Sequence, residues 1–321
     1  RHEVEEFGVD RYNEACKKSV LEYKDEWDRL TRRIGYWVDL DDPYVTFETD
    51  YVESVWWLIK QIHEQDLLYK GYKIQWYSPG SETVLSSHEV SLGYEEVQDP
   101  SVYIRFPVEG EENTHFLAWT TTPWTLISNT ALAVGPDLTY VKIRHEDPHQ
   151  GTEKLILAED RLDVIREEVE VLETYEGRDL LGLSYEPLFS YFEAQVEEEG
   201  KEAWYVTEAD FVDTEDGTGV VHLAPAFGEE DHRVGERENL PLFNPITPDG
   251  RFTEVAELVA GEWFKDADDP IVEDLKFRGR LYRRESHTHN YPHDWRKGTP
   301  LMNYPVESWF IETTALKDRM I

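Results

Sequence analysis

The strongest constraint on the fold is a change in the spacing of apolar residues at about Tyr69. Before this point, apolar side chains recur every three or four residues, which is the period of a helix. Beyond it they alternate with polar side chains, between turns that contain glycine and proline, and this pattern is typical of short strands. The sequence therefore predicts an α+β chain, in which a helical segment precedes a β-barrel-like domain that carries short helices.

The helical segment presents two apolar faces. The first face includes Cys16, whose apolar neighbours predict that it is a core residue. Cys16 is the single cysteine of the chain, which excludes an intrachain disulfide. The second helix is expected to open at Asp50, whose carboxylate would cap it together with Glu53. The first face comprises Cys16, Val20, Tyr23, Trp27, Leu30 and Ile34, and the second comprises Val52, Val55, Trp56, Ile59 and Ile62.

The second part of the chain is predicted to consist of strands with a few short helices. In the first of these strands, Val102, Ile104 and Phe106 alternate with Tyr103 and Arg105. Further strands are expected at residues 140–145, 154–158, 169–175, 203–212 and 219–223. Short helices are expected near residues 161–168, 229–239 and 270–277.

Residues 119–129 contain three consecutive threonines at the end of an apolar run. Pro123 follows them and lacks a backbone N–H, so the run is predicted to end as a strand and to turn there. The threonine hydroxyls and the amide of Asn129 can both donate and accept hydrogen bonds. They suit a small polar ligand, although threonine runs are also common in exposed strands.

Residues 217–232 are predicted to form a buried strand, a turn that contains proline, and a helix that starts after Gly228. His222 is expected at the end of the strand and Asp231 in the first turn of the helix. Either residue alone also fits a structural role, because histidine is often a core residue and aspartate favours helix starts.

Together the two stretches resemble the editing insertion of the isoleucyl-tRNA synthetases, a family of class I aminoacyl-tRNA synthetases. The threonine-rich motif of that family resembles residues 120–125 with Asn129, and its second motif resembles residues 217–231. The sister leucyl and valyl families usually carry an arginine at the position of Thr122 and an acidic residue at that of Trp124. The valyl family typically has a lysine where His222 stands, so Trp124 and His222 favour the isoleucyl family.

The resemblance implies four segments. Residues 1–72 would be a helical segment of the catalytic domain, and residues 73–97 a stalk. Residues 98–285 would form the β-barrel editing domain. Residues 286–321 would complete the stalk and return to the catalytic domain.

The resemblance also implies an activity, namely hydrolysis of valine esterified to the 3′-terminal adenosine of the isoleucine tRNA, with valyl-adenylate left open as a second substrate. The full-length protein would ligate isoleucine to tRNA(Ile) with ATP and magnesium. Neither ATP-binding signature of the family occurs in this sequence, so the fragment is expected neither to activate an amino acid nor to charge tRNA, and to need no cofactor. An editing domain of a valyl or leucyl enzyme, or a non-catalytic tRNA-binding module, remains an alternative.

Residue roles follow from this chemistry and the resemblance. The ionised carboxylate of Asp231 is expected to hold the ammonium group of the substrate. No serine is paired with a base, so we expect a water, assisted by a ribose hydroxyl of the substrate, to attack the ester; His222 as general base is the alternative. The predicted catalytic residues are Asp231, Thr122, His222 and Asn129. The predicted substrate-binding residues are Thr120, Thr121, Thr125, Trp124, Asp231 and His222.

Many relatives carry a four-cysteine zinc site in the stalk. The corresponding positions here are Ser78, Ser81, Asp294 and Lys297. These side chains offer neither thiolate nor imidazole, so we predict no metal there, with a hydrogen-bonded or ionic cluster in its place. Three nearby histidines are expected to be solvated in a loop and not to bind metal, namely His287, His289 and His293.

The chain is strongly acidic, with 68 Asp and Glu against 32 Lys and Arg and a net charge of −36. Such a field repels RNA at ordinary salt, but in molar salt the Debye length falls to about 3 Å. We therefore interpret the composition as adaptation to a salty cytosol, as in halophiles. No apolar run of membrane length and no signal-peptide pattern occur, so a cytoplasmic monomer without a membrane partner is expected.

Overall fold

The computed structural model describes residues 2–148 and 150–320. It contains two compact units, one formed by Arg1–Tyr69 with Phe310–Ile321 and the other by Lys70–Trp309. The candidate site lies entirely in the second unit.

The helices of the described residues are short, apart from α2 and α4. They are α1 (His2–Phe7), α2 (Val9–Val20), α3 (Lys24–Arg33), α4 (Thr49–His63), α5 (Ser87–Ser91), α6 (Glu193–Glu199), α7 (Glu229–Arg237), α8 (Asp268–Phe277) and α9 (Lys317–Met320). Short 3₁₀ helices span Pro123–Ser128, Glu159–Val164, Gly177–Leu180, Glu257–Val259 and Thr314–Leu316.

The strands are β1 (Leu68–Ser78), β2 (Thr83–Val84), β3 (Tyr94–Pro107), β4 (Thr114–Thr120), β5 (Ala131–Val134), β6 (Thr139–Asp147), β7 (Gly151–Ala158), β8 (Glu170–Glu176), β9 (Tyr205–Glu208), β10 (Val220–Leu223), β11 (Leu281–Pro292) and β12 (Met302–Ile311). They form three open sheets, with the orders β11-β3-β4-β7-β6-β8, β10-β5-β9 and β12-β1-β2. The β4–β7 and β5–β9 pairs are parallel. The predicted fold class, helices followed by a β-rich part with short helices, is confirmed, and the sheets of the β-rich part are open.

Most predicted elements of the second unit are present, with shifted ends. Strands β6, β7, β8 and β10 match the predicted ranges closely, and α7 and α8 match two of the predicted helices. The predicted strand at 203–212 is shorter, because only β9 pairs with β5. The helix expected near 161–168 is a 3₁₀ helix that starts earlier, at Glu159–Val164.

The second half of strand β3, residues 101–107, is buried on both faces. Val102, Ile104 and Phe106 belong to the main hydrophobic core, and Tyr103 packs into a second cluster on the opposite face. Arg105 is fully buried, and its guanidinium is paired with the carboxylate of Glu153 at 2.8 Å. Such a pair makes burial of a charged side chain tolerable. The alternating pattern therefore predicted the strand, but it does not mark an exposed face.

Three expectations for the helical unit are wrong. Cys16 is exposed, and none of the residues of α2, α3 and α4 is buried. Trp27 and Trp56, expected on apolar core faces, are 67% and 68% exposed. Helix α4 starts one residue before Asp50 and is preceded by Glu48 without a side-chain cap, so Asp50 lies in its first turn. Periodicity located the helices, but none of the described residues of this unit buries these faces.

Across residues 2–148 and 150–320, none of the helices combines the length and the apolar character needed to cross a membrane.

Candidate active site

The threonine-rich segment turns at the end of a buried strand, as predicted. Strand β4 ends at Thr120, and Pro123 opens the 3₁₀ helix Pro123–Ser128. The hydroxyl oxygen of Thr120 accepts the backbone N–H of Thr122 at 3.1 Å. The Oγ1 atom of Thr122 lies 3.2 Å from that of Thr120 and 3.2 Å from that of Thr125. The three hydroxyls therefore form one hydrogen-bonded row.

His222 joins this row from the neighbouring strand β10, which pairs with β5. Its Nε2 lies 2.8 Å from Oγ1 of Thr125, and its Nδ1 lies 3.2 Å from Nδ2 of Asn129. The ring is buried, and burial lowers the pKa of His222 to about 4. The imidazole is therefore neutral near pH 7.

The amide of Asn129 has one orientation that satisfies its neighbours. Its Nδ2 donates to the backbone carbonyl of Ala131 at 3.0 Å, and its Oδ1 accepts the hydroxyl of Tyr185 at 2.7 Å. Tyr185 is 2% exposed, and burial raises the pKa of its hydroxyl well above the usual value, so this hydroxyl stays protonated. The amide nitrogen therefore points at His222 as a donor.

This orientation fixes the tautomer of His222. Because Asn129 donates to Nδ1, the proton of the neutral ring is on Nε2 and is donated to Thr125. The hydroxyl of Thr125 in turn donates to the backbone carbonyl of Thr122 at 2.8 Å. Both ring nitrogens of His222 are thus engaged in an ordered chain of hydrogen bonds.

Asp231 lies in the first turn of α7, which follows Gly228, as predicted. Its Oδ2 accepts the backbone N–H of Ala224 at 2.8 Å, two residues after His222, so the carboxylate is tied to the end of the same strand. Burial raises the pKa of Asp231 to about 6, although its hydrogen bond to Ala224 acts in the opposite direction. A carboxylate with a raised pKa that reaches a cleft is a candidate functional group.

Gly228 makes room for this carboxylate. A Cβ at position 228 would lie 2.6 Å from the carboxyl carbon of Asp231, closer than real contacts allow. The backbone of Gly228 is extended, so the glycine serves to leave space for the carboxylate and is not needed for a left-handed turn.

Three of the predicted site residues line clefts, and the cleft lined by Asp231 is not the one lined by the threonines. Asp231 lines one of about 450 Å³, with Lys73, Trp76 and Asn303 among its other walls. Thr121 lines another, of about 270 Å³. Thr120 and Trp119 also line this second cleft, together with Phe211, Asp213, Asp216 and residues 217–221.

Trp124 is a core residue. Its side chain is 3% exposed and packs edge-on against the rings of Phe227 and Phe264, at 4.9 Å and 5.0 Å between centroids. Its backbone N–H donates to the carboxylate of Asp268 at 2.9 Å. Of the two roles considered for Trp124, wall or fold packing, the contacts fit packing, and its substrate-binding role stays a prediction.

Sequence reasoning missed two residues that support the site. Tyr185 fixes the amide of Asn129, but nothing in its local sequence distinguishes it from other core tyrosines. Asp268 stands in an Asp-Asp-Pro sequence, which is typical of a helix start. Nothing in that local pattern indicates its hydrogen bond with the distant N–H of Trp124.

The stalk positions form a hydrogen-bonded cluster. The hydroxyls of Ser78 and Ser81 both donate to Oδ2 of Asp294 at 2.6 Å. The other carboxylate oxygen accepts backbone N–H groups, at 2.8 Å from Arg296 and 3.4 Å from Lys297. These donors suit a carboxylate and leave it no free coordination position, so their chemistry does not fit zinc. That this position holds no metal stays a prediction.

The sequence predicted that the three histidines near this cluster lie in a solvated loop. This prediction is wrong. His287 and His289 belong to β11, and His293, which follows it, is 9% exposed. The ring of His289 lies 3.1 Å from the carboxylate of Asp99, so strand pairing and a hydrogen bond hold it in place.

Comparison with known proteins identifies the family. The profile of the family described as tRNA synthetases class I (I, L, M and V) matches residues 1–321. The chain is 45% identical over 319 residues to an isoleucine–tRNA ligase of Clostridium acetobutylicum, a match that covers 99% of this chain and 30% of that protein. It is 45% identical over 321 residues to the isoleucine–tRNA ligase of Bacillus thuringiensis strain Al Hakam, covering 100% of this chain and 30% of that protein.

Among solved structures, the chain is similar to the editing domain of the cytosolic leucyl-tRNA synthetase of P. falciparum, with a TM-score of 0.42 and 9% identity, covering 58% of this chain and 99% of that one. The chain spans about 30% of the length of the curated relatives it matches. On the match over its whole length, the chain belongs to the class I tRNA synthetases of the I, L, M and V group.

Proposed function

We propose that this chain is the editing part of an isoleucine–tRNA ligase and hydrolyses the ester that joins valine to the 3′ end of tRNA(Ile). The full-length protein would ligate isoleucine to the same tRNA with ATP and magnesium, as a cytoplasmic monomer. The observation that carries the proposal is the ordered hydroxyl–imidazole–amide network of Thr122, Thr125, His222 and Asn129, tied through Ala224 to a carboxylate that borders a cleft. The relatives, which are isoleucine–tRNA ligases, support the substrate.

Such hydrolysis answers a physical limit on recognition. Valine lacks one methylene of isoleucine, and a pocket built for the larger side chain discriminates against the smaller by only about 1–3 kcal/mol, a limit for which the isoleucine enzymes are the usual example. A second site that admits only the smaller side chain must remove the error. The buried ring of His222 and the side chain of Thr122 are suited to narrow such a site.

Asp231 is suited to bind the ammonium group of the substrate. With a pKa of about 6 it is mostly ionised at pH 7, and it presents a negative charge in a partly dry environment. A bound ammonium group would favour the ionised form further and would supply the partner that a buried carboxylate needs. Valyl-adenylate carries the same ammonium group and would be a second substrate.

The network supports water attack without a protein base. Because Asn129 occupies the lone pair of Nδ1 and Thr125 takes the proton of Nε2, His222 has no free lone pair to remove a proton from water. We therefore assign His222 the role of holding the threonine hydroxyls in place. Those hydroxyls would orient the water and the terminal adenosine, and the 2′ or 3′ hydroxyl of the substrate would assist proton transfer. Backbone amides and hydroxyls would stabilise the oxyanion.

Deacylation of mischarged tRNA tests the proposal. The protein should release valine from valyl-tRNA(Ile) and spare isoleucyl-tRNA(Ile). Asp231→Ala should lower kcat/KM for valine release by about 100-fold, as expected for loss of a charge-assisted contact, with the fold intact by circular dichroism. The matched control is Glu236→Ala, which removes an exposed carboxylate from the same helix.

The same assay separates the alternatives. Cleavage of threonyl-tRNA(Val) in preference to valyl-tRNA(Ile) would indicate a valyl-type editing site. Binding of tRNA without cleavage of any ester would indicate a non-catalytic module, and loss of fold in Asp231→Ala would indicate a structural role for that carboxylate.

The acidic composition bears on the conditions of the assay. We infer from the net charge of −36 that the protein is adapted to a salty cytosol, where screening lets an acidic surface approach RNA. Deacylation should therefore be measured in molar KCl as well as at low salt.

A further inference from the structure

The carboxylate of Asp268 makes a contact that links two distant parts of the chain. Its Oδ1 accepts the backbone N–H of Trp124 at 2.9 Å, across 144 positions of sequence. Asp268 is 5% exposed. Asp268 is therefore a buried residue that binds the backbone of the threonine-rich turn.

The contact is not an ordinary helix cap. Asp268 is the first residue of α8, and α8 has no side-chain hydrogen bond at its N-terminal cap. The donor is instead the N–H of Trp124, in the first turn of the 3₁₀ helix Pro123–Ser128, where an N–H has no partner within its own helix. There Pro123 has no N–H, and the preceding Thr122 makes no side-chain cap. Asp268 thus caps the threonine-rich turn from outside.

Keeping an acid at this position is costly, which argues against an incidental role. Burial raises the pKa of Asp268 to about 7, and the charges of Asp99 and Asp269 act in the same direction. Lys265 acts in the opposite direction, but its ammonium group is itself bound to Asp99 at 2.6 Å. Either protonation state still offers an oxygen to the N–H of Trp124.

The turn that Asp268 holds carries the reactive row of hydroxyls. Trp124 is adjacent to Thr125, whose hydroxyl binds the imidazole of His222 at 2.8 Å. We propose that Asp268 is a positioning residue that sets the place of Thr122 and Thr125 relative to His222, an inference that rests on the proposed function. Asp268 acts through the backbone of Trp124 and touches no reacting group.

Three variants of the whole chain test this role. Asp268→Ala removes the acceptor, Asp268→Asn keeps an oxygen acceptor without the charge, and Asp269→Ala removes the neighbouring exposed carboxylate, which binds Arg284. Two quantities are measured in each: hydrogen exchange of the Trp124 amide, and kcat and KM for valyl-tRNA(Ile) deacylation.

In Asp268→Ala we expect the Trp124 amide to exchange at least about tenfold faster and kcat to fall about 10- to 100-fold, with KM within about threefold. Asp268→Asn and Asp269→Ala should match the wild type in both. Unchanged exchange in Asp268→Ala, or an Asp268→Asn variant in which either exchange or kcat departs from the wild type, overturns the proposal. If Asp268→Ala does not fold, the Asp268→Asn result decides in the same way.

The two readouts keep this inference separate from the proposed function. If the wild type cleaves no valyl-tRNA(Ile), the proposed function fails, and the exchange of the Trp124 amide still shows whether Asp268 holds the turn.

Discussion

At the scale of single residues, the ionised form of Asp231 is unfavourable in its buried position, and a cationic substrate can offset this cost. The pKa of Asp231 is raised by burial to about 6, so the native state binds a proton more tightly than the unfolded chain does. The sign follows from linkage: between about pH 4 and pH 6 the native state holds more protons, so stability falls as pH rises through this window. An ionised Asp231 at neutral pH is therefore destabilising, and a cationic ligand would relieve that strain.

The pH dependence of deacylation should report this carboxylate. Because only ionised Asp231 holds an ammonium group, kcat/KM for valyl-tRNA(Ile) should rise with pH to a plateau, with an apparent pKa near 6. The measurement is the initial rate at low substrate from pH 5 to pH 7.5, where burial keeps His222 neutral throughout. A profile that stays flat from pH 5 to pH 7.5 would show that Asp231 is not the titrating group.

Gly228 allows a sharp steric test of the same carboxylate. In Gly228→Ala the added Cβ would lie 2.6 Å from the carboxyl carbon of Asp231, which must move. We expect kcat/KM to fall about 10- to 100-fold, because small displacements of a binding group are costly.

The control for this substitution is Gly235→Ala in the same helix, whose Cβ would meet Pro225 at 3.1 Å instead. It should retain deacylation close to the wild-type rate. Equal deacylation rates for the two variants would mean that displacing Asp231 has no effect and that its carboxylate does not bind the substrate.

At the scale of elements, the site is an assembly of segments that the sequence identifies singly. The threonine turn was predictable because Pro123 must end β4, and α7 because Gly228 precedes a run of acidic residues. Their joining was not predictable, since it depends on β10 pairing with β5 and bringing His222 to Asn129. Long-range partners leave no periodic signal in the sequence.

Tyr185 tests how far the network depends on such a distant partner. Tyr185→Phe removes the hydroxyl that donates to Oδ1 of Asn129 at 2.7 Å and leaves that oxygen buried without its donor. We expect the free energy of unfolding to fall by about 1–3 kcal/mol, as measured by urea denaturation, and kcat to fall with it as the amide turns away from His222.

Tyr94→Phe is the matched control, since Tyr94 is 52% exposed. It should unfold at the wild-type urea concentration. If Tyr185→Phe also did so, the orientation of Asn129 would be set by the carbonyl of Ala131 alone.

At the scale of the whole molecule, local signals predicted the class of the fold, whereas burial depended on tertiary context. The change of period at Tyr69 marks the passage from helices to strands, because β1 begins at Leu68. The apolar faces of α2 to α4 predicted helices correctly but not their burial, since in the part of this unit that the structure describes they stay exposed. Arg105, in turn, is buried inside an alternating strand because its ion partners come from distant elements.

The net charge of −36 leads to a prediction about stability that belongs to the molecule as a whole. Repulsion among exposed carboxylates opposes the compact state, and salt screens it as the Debye length falls from about 10 Å at 0.1 M to about 3 Å at 1 M. The free energy of unfolding, measured by urea denaturation, should therefore rise between 0.1 M and molar KCl.

A variant that lacks part of this repulsion separates screening from other effects of salt. Glu197 and Glu198 are exposed near the C-terminal end of α6, where negative charge also opposes the helix dipole. The double change Glu197→Gln and Glu198→Gln should stabilise the protein at 0.1 M KCl and have little effect in molar KCl, because screening has already removed the repulsion. Equal stabilisation at both salt concentrations would assign the effect to helix propensity, and a wild type indifferent to KCl would contradict adaptation to high salt.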